Sequence, residues 1–219
     1  MQTKGQSAQF GGVSATTEVR ADSESPKHQL VLDAAATLFM AHGYGAVSMD
    51  AVARAAGVSK ATLYAHFSSK DQLFATIIGE ACQQKIALGE LLPANATDVR
   101  AALTAFGGGL LRFFLEDRAL AIHRVVIGES TRFPELGRAF YDNGPAALFR
   151  ALGAWLAEQT EAGRLAVTDP IMAGEQFVGM LRTSLFLRAS VGLTPPTDAE
   201  IDATVEAAVT TFLKAYAAP

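Results

Sequence analysis

What the chain lacks narrows its chemistry first. One cysteine, Cys82, stands among 219 residues, so neither an internal disulfide framework nor a zinc site built on several thiolates is available. Long apolar runs are missing too. The central stretch from Ala101 to Leu111 stops at Arg112, well short of the roughly 18–20 apolar residues that a membrane span needs. No basic segment followed by an apolar one opens the chain, so no secretory signal is expected. Soluble, cytoplasmic residence without membrane contact is the expectation. There is no Glu-x-x-His pair for a di-iron bundle, no His-Glu-x-x-His, and no Gly-Lys-Ser/Thr phosphate loop. The run Gly107-Gly108-Gly109 follows a helical pattern rather than a strand, which makes it weak evidence for nucleotide binding. Nothing in the residues requires a metal or cofactor, and no enzyme chemistry is expected.

A basic excess is absent as well. Eighteen Lys and Arg face 22 Asp and Glu, a balance of −4 that argues against nonspecific coating of nucleic acid. The deficit is local. Arg20 to Ala75 hold five basic and five acidic residues, whereas Thr76 onward holds 12 basic and 16 acidic. A neutral N-terminal module on an acidic body permits local contact with a polyanion without demanding it.

What is present is helical patterning almost throughout. Residues 1–24 are rich in Gln, Gly, Ser and Thr, and are expected to form a flexible arm because they cannot bury enough surface to offset ordering. Structure should begin at Ser25-Pro26, a favoured cap followed by a proline whose missing N–H costs nothing there. Asp169-Pro170 repeats that signal, and Thr197 with Glu200 forms a capping box. Pro145 should kink or split the segment between Pro134 and Gly163. The expectation is an all-α chain of about nine helices, with a helix-turn-helix domain over 25–70 and a helical effector-binding and dimerisation domain over 71–219.

The segment from Ser48 to Phe67 carries most of the functional signal. Ser48 and Ser59 can each cap a short helix, and Gly57 between them supplies a left-handed turn. Small Ala53, four residues before the glycine, lets the second helix cross closely over the first, which is the helix-turn-helix pattern. Lys60, Thr62, Tyr64 and His66 then fall on outer faces, where such a helix enters a major groove.

Residues 30–75 resemble the N-terminal domain of the TetR/AcrR family of transcriptional repressors. The likeness rests on "LFMAHGYGAVSM" followed by "DAVARAAGVSKATLYAHFSSKDQLF". Further on, "RVVIGESTRFPELGRAFY" looks like the regulatory domain of repressors of drug-efflux operons. The resemblance implies a double-stranded DNA operator, with phosphate contacts from Ser48, Ser59, Tyr64, His66 and Lys70, and base-edge or near-base contacts from Lys60 and Thr62. Position 61 is alanine, which leaves DNA shape a larger part of the readout. It further implies a homodimer whose last two long helices pair with their symmetry mates. Val178, Leu181, Leu185, Val205, Val209 and Phe212 are assigned to that interface.

Ten of the 18 aromatic residues lie between Phe106 and Phe186, interrupted by polar His123, Gln176, Arg182 and Ser184. Such a set suits either a dense core or a cavity for a small apolar or aromatic effector. The candidate effector contacts are Phe106, Leu110, Phe113, His123, Trp155, Gln176, Phe177, Met180 and Ser184. An all-α enzyme and an effector-free DNA-binding module remain the competing readings. Cys82 fits a small buried hydrophobe better than a redox sensor.

Overall fold

In the computed structural model, residues 26–85, 92 and 96–218 are described. The expected arm and the side chain of Cys82 lie outside the described residues. Eleven helices occur among those described, with no strand beyond an isolated bridge between Leu165 and Ala217.

The first four are α1 (Pro26–His42), α2 (Met49–Ala56), α3 (Lys60–His66) and α4 (Lys70–Lys85). There follow α5 (Val99–Leu115), α6 (Asp117–Glu129), α7 (Pro134–Asn143) and α8 (Pro145–Glu161). The last three are α9 (Pro170–Leu181), α10 (Ser184–Ser190) and α11 (Asp198–Tyr216). Two splits raise the number above nine. Gly144-Pro145 divides α7 from α8, because proline offers no N–H to continue the ladder. The second break, at Arg182-Thr183, has no glycine or proline to mark it, so periodicity alone runs through it.

Local capping chemistry acts where the residues suggest. Ser48 accepts from the amide of Ala51, Ser59 from that of Thr62, Asp98 from Ala101 and Asp169 from Met172. Thr197 and Glu200 satisfy each other's backbone in a capping box at the start of α11. Gly57 adopts φ +66°, the left-handed turn between α2 and α3.

Burial is divided between two apolar clusters. One gathers Leu103, Phe106, Leu110, Leu152, Phe177 and Phe212 from α5, α8, α9 and α11. The other joins α1–α4 to α6 and α7, with Ile122, Val126 and Leu136 packed among Phe39, Tyr44, Leu63 and Phe74. The N-terminal module therefore shares its core with two helices of the C-terminal part. No described helix is long and apolar enough to cross a membrane.

Candidate nucleic-acid interface and effector cavity

The α2–turn–α3 unit presents most of its polar residues outward. Ser48, Ser59, Lys60 and Tyr64 are exposed, and Ala61 is too, while Thr62, His66 and Lys70 are half-buried. Leu63 and Val52 turn inward and are fully buried, which fixes the outward face of α3. Lys60 reaches Asp50 on α2 at 2.5 Å, an exposed pair that leaves the ammonium open to exchange its partner. The Ser59 and Thr62 hydroxyls lie 2.8 Å apart. His66 packs back toward α1, its ring 5.9 Å from that of His28.

Lys70, expected at a phosphate, has its ammonium engaged within the chain. Its ammonium donates to the carbonyls of Tyr44 at 2.8 Å and Val47 at 3.0 Å, and lies 4.2 Å from the centre of the Tyr44 ring. Burial lowers its pKa, opposed by the negative charges of Glu129, Asp71 and Glu135. This lysine braces the α1–α2 loop from within.

The same loop is gripped from the C-terminal part. Glu129, the last residue of α6, accepts from the amides of Tyr44 at 2.7 Å and Gly45 at 2.6 Å. Tyr44 donates its hydroxyl to Asp71 at 2.6 Å, and burial raises its pKa. Glycine is required at both flanks. A Cβ at Gly43, where φ is +80°, would stand 2.2 Å from the Glu129 carboxylate, and one at Gly45 would meet the Phe133 ring at 2.8 Å. Neither Glu129 nor Tyr44 stands out in the sequence, because their partnership spans 85 residues.

A cavity of about 160 Å³ opens between α1, α4 and the helices from α5 to α10. A cavity of this size admits a benzene ring. Helices α1 and α4 contribute Leu32, Ile77 and Ile78 to its walls, and the helices beyond them contribute Phe113, Phe114, Ile122, Leu148 and Phe186. His123 also lines it, its pKa lowered by burial and by the charges of Arg182 and Arg124.

Of the nine expected effector contacts, Phe113 and His123 border this cavity. Phe106, Leu110, Trp155 and Phe177 instead fill the C-terminal core, at most 4% exposed, in one apolar cluster with residues of α11. Gln176 and Met180 line a shallow groove together with Gly179 of the same helix α9 and Thr211 and Ala215 of α11. Ser184 is exposed beyond the helix break. Aromatic spacing on a helix gives a face but not the identity of its neighbour, so core and cavity look alike in one dimension.

The expected interface set needs correction as well. Val178, Leu181, Leu185, Val205, Val209 and Phe212 are all at most 6% exposed within the single chain. They are taken up by the protomer's own packing and leave little surface for a second copy. The open side of the same helices carries Gly179, Met180, Leu187 and Val191 beside Ala203, Ala207, Thr211 and Ala215. Small residues at four-residue spacing leave room for another helix to approach.

Comparison with known proteins gives a consistent picture. Residues 31–77 match the bacterial regulatory proteins of the tetR family, and residues 101–218 match the C-terminal domain of AefR-like transcriptional repressors. Among solved structures, the flavonoid-responsive regulator FrrA is 40% identical with TM-score 0.72, over 87% of this chain and 97% of that one. A TetR transcriptional regulator from Agrobacterium tumefaciens is 29% identical with TM-score 0.69, over 89% and 96%. The transcriptional activator FasR of Mycolicibacterium smegmatis is 38% identical over 80 residues, covering 35% of this chain and 36% of its own length. The chain thus spans little more than a third of that curated relative.

Proposed function

The chain belongs to the TetR family of bacterial transcriptional regulators, and on that premise we propose that it is a repressor released from its operator by a small, largely apolar effector. It acts in the cytoplasm as a homodimer on a palindromic site, with half-sites about one helical turn apart. Efflux or detoxification genes are the proposed targets. A planar polyphenol is a first effector class to try, since the 40% identical FrrA is flavonoid-responsive.

One observation carries this reading: the apolar cavity is walled jointly by the DNA-binding module and the C-terminal part. A guest there must press on α1 and α4 as well as on α6. Helix α6 holds Ile122 and His123 in the cavity wall and Glu129 on the α1–α2 loop, so displacement along it reaches the reading head directly. Guest binding and DNA binding then oppose each other reciprocally.

The direct test is fluorescence anisotropy of the purified protein on the DNA upstream of its own gene, titrated with planar apolar compounds. Binding followed by compound-dependent release supports the reading. DNA binding that no compound affects favours an effector-free module.

Two substitutions separate the roles of the lysines. Lys60→Ala is expected to weaken binding to all DNA sequences and to lower the salt slope by about one counterion, with the melting temperature unchanged. Lys70→Ala is expected to destabilise the fold by about 1–2 kcal/mol, since two carbonyls lose their donor. Calorimetry and salt-dependent anisotropy on both variants check this pair, and a stable Lys70→Ala with a reduced slope would restore the phosphate contact.

Assembly is tested on the open face. Ala207→Glu is expected to convert dimer to monomer, because an unpaired charge in a desolvated interface costs several kcal/mol. Light scattering that still finds a dimer would move the interface elsewhere.

A further inference from the structure

We propose that the effector is an organic anion, an apolar body ending in a carboxylate whose charged end pairs with Arg182. This rests on the effector cavity just described and adds the sign of charge to it.

The cavity wall holds several charged groups, and all but one are engaged. Glu80 on α4 accepts from the Nε2 side of the His28 ring at 3.1 Å. Arg118 on α6 lies 3.7 Å from Asp33 of α1, and Gln29 donates to the same Asp33 at 3.1 Å. Glu116, at the joint of α5 and α6, has its own partner. Arg124, behind His123, spends its guanidinium on the carbonyls of Ala189 and Ser190, both at 2.8 Å. Arg182 is different. Among the described residues no carboxylate pairs with it and no side chain accepts from it; the residue as a whole is exposed, and partial burial of its head group lowers its pKa.

Its neighbours are aromatic. The guanidinium carbon lies 4.2 Å from the centre of the Phe186 ring and 5.6 Å from that of Phe114, both cavity-lining. Stacking uses the face of the guanidinium and leaves its N–H edges to accept a planar carboxylate in two parallel hydrogen bonds. His123, held neutral by burial and by the two arginines, adds no competing positive charge and can donate to an oxygen. Position matters as much as charge. Arg182 stands at the break between α9 and α10, outside either helix, so it reaches the cavity across the aromatic pair rather than running along a helix face.

The test uses matched pairs of aryl carboxylates and their primary amides, such as 2-naphthoate and 2-naphthamide, titrated calorimetrically into the full-length protein. The wild type is expected to bind the acid at least tenfold more tightly than the amide, with a preference that weakens as salt is raised. Arg182→Gln is expected to erase that preference while leaving amide affinity within twofold, which also certifies that the variant is folded. Arg182→Lys should keep part of it. Ala119→Trp fills the cavity from α6 and should abolish both. Equal binding of acid and amide by the wild type, or a preference that survives Arg182→Gln, overturns the anion assignment and leaves the cavity standing. Failure of every pair to bind, or binding unaffected by Ala119→Trp, overturns the cavity reading and this proposal with it.

Discussion

Phe177→Ala is expected to lower stability by about 3–5 kcal/mol, the usual cost of removing a fully buried ring that its neighbours cannot collapse to replace. Phe177 is 0% exposed and sits between the rings of Phe106 and Phe212, at centroid distances of 6.2 Å and 5.3 Å. Gly107 on α5 faces it closely enough that a Cβ there would stand 3.3 Å from the ring tip. Three helices therefore meet on this one side chain. A melting temperature lower by on the order of 10 °C is anticipated for a domain of this size. Effector affinity of the fraction still folded should change little, because Phe177 does not border the cavity. Thermal melts of Phe177→Ala beside Phe186→Ala decide it. Phe186 is half-buried and cavity-lining, so its loss should cost less stability and more effector binding. A Phe177 variant with near-native melting and poor effector binding would reverse the two assignments.

Glu129→Ala is expected to weaken operator binding ten- to a hundredfold without touching a residue of the reading helix. Its carboxylate holds two backbone amides of the α1–α2 loop, and hydrogen bonds to charged groups contribute about 1.5–3 kcal/mol each. A factor of ten in affinity corresponds to about 1.4 kcal/mol, so even partial loosening of the loop is visible. Glu129→Gln, which keeps an acceptor but loses the charge, should fall between the two. Anisotropy on operator DNA gives the affinities, and hydrogen exchange at Tyr44 and Gly45 reports the loop itself. Operator affinity within twofold of wild type for Glu129→Ala would show that the loop holds its shape through Lys70 and Asp71 alone.

The parts of this molecule legible in the sequence are those fixed by neighbours a few residues apart. Ser48, Ser59 and Gly57 announce the helix-turn-helix because caps and left-handed turns are local matters. Pro145 announces a split for the same reason. The family likeness over residues 30–75 has its counterpart in the matches at both ends of the chain. What escaped depends on distant residues meeting. The carboxylate of Glu129 and the amide of Gly45 are 84 positions apart, and no periodicity links them. Nor does the apolar spacing of α9 say that Val178 faces the cavity while Phe177 beside it faces α11. The unmarked break at Arg182 compounds this, since it resets the faces of every residue after it.

The grip of Glu129 on Tyr44 and Gly45 bears on how such regulators are recombined. A cut after residue 70 looks natural in the sequence, yet it would part a loop from the acid that shapes it. A chimera carrying this reading head on another regulatory body must find an acceptor at the end of the helix equivalent to α6, or leave two amides without one. Exchange of DNA specificity between relatives is therefore best made at the outward residues of α3, Lys60, Ala61 and Tyr64, which are exposed. Retargeting this protein is a matter of repainting one surface, because the domain beneath it does not come away whole.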